Sequence, residues 1–199
     1  DQGAREHYHV PKYQREYTWG KLEWERLIQD IDENDFGYFM GSVICVKDGE
    51  PNGPGDEIIY EVVDGQQRLT SLSLMMMAIY KKLTELKENL SFQDEEDKQD
   101  FNNSLASLRN KLVKKKRSGE FRTQEIGGWI EQSKMCFLRV KPSSQNKNYD
   151  DYLYLLSSIG IIKARQKPRY FGLRSMSRAF KYFEEHIPDD QQELQQLIA

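Results

Sequence analysis

The sequence predicts an α+β fold, in which a small mixed sheet of a few strands is surrounded by helices and the carboxyl-terminal half is mainly helical. Two short β-branched runs lie in the first third of the chain, over residues 38–46 and 58–63. Longer segments follow in which apolar residues recur three or four positions apart. A length of 199 residues is enough for one domain, and 38% apolar with 31% charged residues predicts a compact core with long, charged, exposed helices.

Within this single domain we predict three parts. Residues 1–9 are polar and are predicted to be a flexible lead-in, residues 10–90 form the core, and residues 91–199 form a mainly helical extension of the same domain. The final amphipathic segment, residues 190–199, reaches the end of the chain without a helix stop signal. We therefore expect the parent protein to continue beyond it.

The amino-terminal elements begin with an extended segment over residues 10–19. Pro11 disfavours helix there, and aromatic or cationic side chains alternate with polar ones. The side chains that this alternation places on one face are Tyr13, Arg15, Tyr17 and Trp19. Residues 21–34 have the apolar spacing of a helix. A loop rich in glycine and proline, residues 48–56, would join the two β-branched strands as an antiparallel pair.

The longest predicted helix follows the second strand directly. Asp64 and Gly65 interrupt the β-branched run, because Gly65 can take backbone angles closed to other residues. From Arg68 the apolar period becomes helical and continues to Leu86. The first half of this helix is apolar on nearly every side, which predicts that it is buried in the middle of the domain.

Helical patterns dominate the rest of the chain. Residues 101–112 predict an amphipathic helix. We expect it to continue through a cationic tract, because cations at the carboxyl end of a helix interact favourably with its dipole, and to end at Gly119. The cationic residues are Lys114, Lys115, Lys116 and Arg117. Residues 135–140 predict a third strand. Residues 148–159, capped by Asn148 or Asp150, and residues 173–187 predict two more helices.

The junction between the second strand and the long helix has the parts of an anion-binding site. The first N–H groups of a helix have no partner inside it, and the dipole adds about half a positive charge there. Gly65 would let a ligand approach the backbone, and the Arg68 guanidinium suits phosphate. The alternative is structural, with Asp64 capping the helix and Arg68 pairing with a surface carboxylate. The adjacent Gln66 and Gln67 favour ligand binding, because long polar side chains at the start of a buried helix need partners.

Composition and charge exclude several classes of protein. A net charge of -3 excludes a generally basic nucleic-acid binder, so a DNA or RNA contact would need a local patch such as residues 114–117 or the loop 163–169. Cys45 and Cys136 lie in apolar runs, which favours core packing in a reducing compartment, and the histidines lack metal-ligand spacing. The sequence has no signal peptide and no apolar run long enough to span a membrane. We therefore expect a cytoplasmic protein without membrane partners.

Four segments of the chain, taken in order, resemble one protein family. They are VPKYQREYTW, YFMGSVI, EVVDGQQRLTSLSLM and CFLRVKPSSQNKNYDDYLYLL. This combination resembles the amino-terminal domain of GmrSD-type restriction endonucleases, a family that carries a DGQQR motif and is related to the ParB and sulfiredoxin fold. The resemblance extends over residues 10–187.

The resemblance implies a regulatory domain of a modification-dependent or phage-defence restriction system that binds and hydrolyses a nucleoside triphosphate. The DGQQR motif corresponds to Asp64, Gly65, Gln66, Gln67 and Arg68. Asp64 and Arg68 would be catalytic, and Asp64 would also hold magnesium. The second family motif corresponds to Tyr13, Gln14 and Arg15, which would complete the phosphate site, and Arg139 is a weaker candidate. DNA and a separate HNH-type nuclease domain or subunit are implied as partners of the full system.

Two other functions stay open at the level of the sequence. A binding module without turnover would recognise DNA or a modified base through residues 114–117 and 163–169 and would control a separate nuclease. A direct nuclease would need a metal-binding group of acids, for which Asp64 and Asp30 are the available carboxylates. The sequence also leaves open which nucleotide is used, which DNA is sensed, and whether the domain forms a homo-oligomer.

Overall fold

The computed structural model describes residues 6–34, 38–49, 57–89, 92, 94–117, 128–190 and 193–194. The α-helices in this part of the chain are α1 (Lys21–Asp32), α2 (Gln66–Asn89), α3 (Glu95–Leu112), α4 (Asn148–Ser158) and α5 (Ser175–His186). The strands are β1 (Glu6–His9), β2 (Ile44–Lys47), β3 (Ile58–Asp64), β4 (Val113–Arg117), β5 (Trp129–Glu131), β6 (Lys134–Leu138) and β7 (Val140–Lys141). The predicted mixture of small sheet and surrounding helices is confirmed.

The described strands divide between two sheets. The first has the order β2-β3-β1-β7 and the second has the order β4-β6-β5. In the first sheet β1 runs parallel to both β3 and β7, whereas β2 is antiparallel to β3, as predicted. Strand β2 begins at Ile44, six residues later than the β-branched pattern begins, because the described residues before it adopt no regular structure.

Strand β1 corrects the prediction of a flexible lead-in over residues 1–9. Residues 6–9 form an inner strand of the first sheet, and residues 1–5 lie outside the described part of the chain. The N–H of Tyr8 donates to the Arg139 carbonyl at 2.8 Å, and the N–H of Val10 donates to the Lys141 carbonyl at 2.8 Å. Backbone pairing on both sides therefore orders a segment whose side chains show no apolar alternation.

Helix α2 lies at the centre of the core, as predicted. Leu74, Met77, Ala78 and Leu83 are fully buried, and the helix packs against α3 and α5. It begins at Gln66, so the two glutamines and Arg68 belong to its first turn. Residues 10–19, which the sequence predicts to be extended, lead into this core without forming a strand.

Residues 10–20 form an irregular segment that lies against the start of α2. Their alternation does not place all four predicted side chains on one buried face. Tyr17 is only 4% exposed and Trp19 packs on the core, whereas Tyr13 is 72% exposed. Polar contacts with α2, described below, fix this segment in place of a strand ladder.

The cationic tract is a strand, which corrects the prediction that α3 continues through it to Gly119. Helix α3 ends at Leu112, and residues 113–117 pair antiparallel with β6. The buried Val113 faces Leu138 in this register. A β-branched residue and a partner strand thus end the helix before the lysines, and Gly119 lies outside the described residues.

The two remaining predicted helices are present, but their boundaries differ from the predicted ones. Helix α4 starts at Asn148 itself, so neither Asn148 nor Asp150 is its cap. Helix α5 ends before Ile187. Of residues 190–199, the structure describes only 190, 193 and 194. Among the described helices, none combines the length and the apolar character needed to cross a membrane.

Candidate functional site

A small pocket lies where residues 14–19 cross the first turn of α2. Its volume is about 240 Å³. The lining residues are Gln14, Arg15, Trp19, Asp64, Gly65, Gln66, Gln67 and Arg68. The two sequence motifs, which are about fifty positions apart, therefore meet at one site. Tyr13 is not among the lining residues and projects into solvent.

Gln67 holds the preceding segment in place with both ends of its amide. Its Oε1 accepts from the N–H of Thr18 at 2.8 Å and from the N–H of Trp19 at 3.3 Å. Its Nε2 donates to the carbonyl of Glu16 at 2.8 Å. Because the side chain is only 6% exposed and already bonded, its role here is to position residues 16–19.

Gln66 and Gln14 form a second link between the motifs. The Nε2 of Gln66 donates to the Oε1 of Gln14 at 3.1 Å, and the Nε2 of Gln14 donates to the carbonyl of Val63 at 2.9 Å. The amide chain thus runs from α2 through the amino-terminal segment to the end of β3. These contacts explain why long polar side chains occur at the start of a buried helix.

Tyr17 anchors the same segment beneath the pocket, a role that the sequence interpretation missed. Its hydroxyl lies 2.6 Å from the Oγ of Ser71 and accepts from the Nε1 of Trp24 at 2.8 Å. Burial raises the pKa of this hydroxyl above its usual range. The alternation of aromatic residues in the segment was the available signal, but it did not identify the polar partners.

Two glycines, Gly65 and Gly41, leave space for other atoms of the protein itself. Gly65 has φ +86°, and a Cβ there would lie 2.9 Å from the Ser42 carbonyl oxygen and 3.1 Å from the Val43 Cα. The close approach expected for a ligand at Gly65 is therefore taken by residues 42–43 on that side. Gly41 has φ +102°, and a Cβ there would lie 2.7 Å from Cζ of Arg68. The Arg68 guanidinium thus rests on a surface that only glycine leaves open.

The electrostatics of the pocket favour an anion. The N–H of Leu69 makes the first helical bond of α2, to the Gly65 carbonyl, which leaves the preceding N–H groups of the turn without partners in the helix. The positive end of the helix dipole lies at the same place. Arg15 and Arg68 line the pocket with full positive charges, against one lining carboxylate, Asp64. This arrangement can hold a phosphate or another small oxyanion.

Asp64 is the carboxylate available to a metal ion at this pocket. It is exposed at the end of β3. Asp30 is not a lining residue and belongs to α1. Within the described part of the chain, no group of three or more His, Cys, Asp or Glu side chains could hold a metal ion by itself. A cation at Asp64 would therefore take its other ligands from a bound phosphate and water.

One known protein family matches nearly the whole chain. The family model described as the GmrSD restriction endonuclease, N-terminal domain, matches residues 1–196. The chain belongs to this family. A search of curated proteins finds no match.

In this GmrSD N-terminal domain the tract at residues 114–117 is not the solvated basic patch expected for a nucleic-acid contact. Lys114 and Lys116 form salt bridges with Glu57, at 3.1 Å and 2.6 Å. Lys115 lies 3.6 Å from a carboxylate oxygen of Glu131. Strand pairing places the tract beside these acids, so each of its three lysines has a carboxylate partner. The side chain of Arg117 lies outside the described part of the molecule.

Glu57 is the centre of a buried charge cluster that the sequence interpretation missed. Its Oε2 lies 2.5 Å from the Nε2 of His7, and the Nδ1 of His7 lies 2.8 Å from the carbonyl of Leu138. Burial by itself raises the pKa of Glu57, but hydrogen bonds from His7, Lys116 and Lys114 outweigh it and hold the pKa at about 2. The two ring nitrogens of His7 thus contact two different oxygens, one on Glu57 and one on the backbone of Leu138.

Arg139 has a structural position in the GmrSD domain. Its Nε donates to the Asn110 carbonyl at 3.0 Å, and its Nη1 donates to the Glu6 carbonyl at 3.0 Å. Burial lowers the pKa of its guanidinium. It lines a separate, open groove of about 920 Å³ between α2 and α3, away from the residues of the DGQQR pocket. Its bonds join α3 to β1.

Proposed function

We propose that this chain is a nucleotide-binding and nucleoside-triphosphate-hydrolysing regulatory domain of a modification-dependent or phage-defence DNA restriction system. The phosphates bind at the DGQQR junction, and a separate HNH-type nuclease domain or subunit cuts the DNA. Membership of the GmrSD N-terminal family supports the restriction system. The observation that carries the nucleotide proposal is the pocket in which Arg15, Arg68 and the amino end of α2 converge.

The size of the pocket determines which part of the nucleotide it receives. Small-molecule pockets that enclose a whole ligand have volumes of about 300–1,000 Å³. The DGQQR pocket, at about 240 Å³, is smaller than that range. It accommodates the terminal phosphates, and the base and ribose extend out of it. Discrimination between bases therefore depends on contacts outside the DGQQR motif.

Six of the eight lining residues have a role in the proposed reaction. The N–H groups of Gly65, Gln66 and Gln67 cradle the phosphate oxygens, and Arg68 and Arg15 balance the charge that develops on them. Asp64 orients the attacking water. The water oxygen bonds to the γ-phosphorus as the bond from that phosphorus to the β–γ bridging oxygen breaks. The products are a nucleoside diphosphate and inorganic phosphate.

Magnesium fits this donor set as a shared ligand of protein and nucleotide. Magnesium sites on nucleotides use one or two carboxylates, phosphate oxygens and waters. Asp64, exposed at the pocket, supplies the carboxylate. The ion would neutralise charge on the terminal phosphates.

The test is to measure binding and hydrolysis of GTP, CTP, ATP and UTP with magnesium, in the wild type and in Arg68→Ala. We expect one nucleotide to bind saturably and to release phosphate. Loss of a group that stabilises charge in the transition state lowers turnover by about 10²–10³-fold. Arg68→Ala should show that loss together with weaker binding.

Arg26→Ala is the matched control, because Arg26 is an exposed arginine on α1 and is not a pocket-lining residue. It should bind and hydrolyse like the wild type. Circular dichroism melting of both variants checks that the fold is intact. If Arg68→Ala keeps full binding and turnover, or if Arg26→Ala loses as much, the DGQQR junction is not the phosphate site.

A second candidate function is a module that senses DNA without turnover and controls a separate nuclease. The observation that favours it is an unbalanced basic loop at residues 163–169, far along the chain from the DGQQR motif. If no nucleotide binds at low salt, while DNA binds and Arg68→Ala changes nothing, this second function replaces the first.

A further inference from the structure

Four cations surround a recess beside the amino end of α4. They are Lys147, Arg165, Lys167 and Arg169. The recess has a volume of about 510 Å³, and its one lining carboxylate is Asp150. All four cationic side chains are exposed. Three of them come from one loop, residues 163–169, and the fourth precedes α4.

These charges differ from those of the tract at residues 114–117 in being unbalanced. None of the four forms a salt bridge with any acid in the described part of the chain. The lysines at 114, 115 and 116, in contrast, are paired with Glu57 and Glu131. In a chain with net charge -3, these four side chains form a local cluster of positive charge.

Aromatic rings lie beside three of these cations. The Arg169 guanidinium lies 4.8 Å from the ring centroid of Tyr170, which is 63% exposed. Arg165 lies 5.9 Å from the ring of Trp129, and Lys167 lies 6.0 Å from the ring of Phe171. Cations beside an exposed aromatic ring, here Tyr170, are the chemistry by which proteins hold phosphates and stack unpaired bases. An acidic peptide would not use the exposed ring face in this way.

The loop is held in a fixed conformation by contacts at both ends. Arg174 forms a salt bridge with the buried Asp151 and also donates to the carbonyl of Arg169. At the other end, the N–H of Lys163 donates to the Oε1 of Glu131 at 2.7 Å. Because these contacts use none of the four cationic side chains, the loop presents those side chains to a partner at little cost in ordering.

From this geometry we infer that the loop and Lys147 form a binding surface for single-stranded nucleic acid. Lys147, Arg165, Lys167 and Arg169 contact the phosphates of the strand. Tyr170 stacks on one base, which a duplex would keep inside its own stack. The inference is independent of the nucleotide pocket, because it shares no residue with the DGQQR site.

The test measures binding of a fluorescent single-stranded oligodeoxynucleotide, without nucleotide or magnesium, by anisotropy over a range of salt concentrations. Each phosphate contact to a single strand contributes about 0.7 to the slope of log affinity against log salt. The double variant Arg165→Gln/Lys167→Gln should therefore reduce that slope by about 1.4. Its affinity at low salt should fall about tenfold or more. Tyr170→Ala should weaken binding while leaving the slope unchanged.

The matched control is Lys21→Gln/Lys98→Gln, which removes two exposed charges that are paired with acids on α1 and α3. It should retain wild-type affinity and slope. Equal losses in the loop and control variants, or no binding of the oligonucleotide, would overturn the inference. So would equal affinity for a matched duplex with no effect of Tyr170→Ala, or binding to anionic phosphatidylserine vesicles in place of the oligonucleotide. Failure of nucleotide hydrolysis would leave these results unchanged.

Discussion

At the scale of single residues, the position of Arg68 depends on the absence of a side chain at Gly41. The guanidinium occupies the space that a Cβ would need. A sequence can indicate that Arg68 is suited to phosphate, but it cannot indicate which distant backbone supports it. The pair Gly41 and Arg68 is therefore visible only in three dimensions.

Gly41→Ala is expected to weaken nucleotide binding without touching a charged group. The new methyl group would displace the guanidinium, whose Cζ lies 2.7 Å from the ideal Cβ position. An alanine at φ +102° also strains the backbone, which costs about 1–3 kcal/mol. Isothermal titration with the nucleotide that the wild type binds, together with urea unfolding, separates the two effects.

Gly49→Ala is the control for the strain component alone. Gly49 also has a positive φ, +71°, but a Cβ there meets nothing within 4 Å. This variant should lose about 1 kcal/mol of stability and keep its nucleotide affinity. If both alanine variants bind nucleotide as the wild type does, Arg68 does not need its place on Gly41.

At the scale of elements, the first turn of α2 and the segment at residues 14–19 act as one unit. Gln67 alone makes three hydrogen bonds to the backbone of Glu16, Thr18 and Trp19. Polar side chains, rather than a strand ladder, fix residues 14–19.

Gln67→Ala is expected to release this segment from α2. The change leaves two part-buried N–H groups and one carbonyl without their partner. A fully buried unsatisfied group costs about 1–3 kcal/mol, and access of water to these groups lowers that cost. Limited trypsin digestion should cut faster after Arg15, and the free energy of unfolding should fall. Gln67→Glu should have a smaller effect, because a carboxylate still accepts from Thr18 and Trp19 but cannot donate to Glu16. Equal cleavage rates in the wild type and Gln67→Ala would show that other contacts hold the segment.

The elements that sequence reasoning found are those with strong local patterns. Helices α1, α2 and α5 have continuous apolar faces, and β3 is β-branched, so periodicity located all four. Strand β1 has no such pattern, because its order comes from backbone pairing with β3 and β7. The three lysines of β4 are typical of a helix end, and only the pairing with β6 makes them a strand.

At the scale of the whole molecule, the cluster around Glu57 joins the two sheets. His7 belongs to β1 of the first sheet, whereas Lys114 and Lys116 belong to β4 of the second. Glu57 precedes β3 and contacts all three. The Glu57 side chain is 5% exposed, so the cluster is a buried bridge between sheets that share no strand. The chain itself crosses between them at Arg139, between β6 and β7.

Glu57→Gln is therefore expected to destabilise the domain in a pH-dependent way. The folded-state pKa of about 2 lies below the ordinary value of 4.5, so the wild-type carboxylate contributes stability that is fully present above about pH 4.5. That contribution is lost as the pH falls from about 4.5 to about 2. The shift corresponds to about 3 kcal/mol at neutral pH. Urea unfolding at pH 7 should show a deficit of that order in the variant.

The decisive experiment repeats the urea unfolding of the wild type and of Glu57→Gln at low pH. It also includes a variant that removes a surface carboxylate as a control. At pH 3 the wild type has lost part of the carboxylate contribution, so the gap to Glu57→Gln should be narrower than at pH 7. Glu95→Gln removes an exposed carboxylate that pairs with Lys98 on α3, and such surface pairs contribute about 0–1 kcal/mol. A deficit in Glu57→Gln that is as small as in the control, or that does not narrow at low pH, would show that the sheets are held together by apolar packing alone. A large deficit that narrows would show that ionised Glu57 helps to hold the two sheets together.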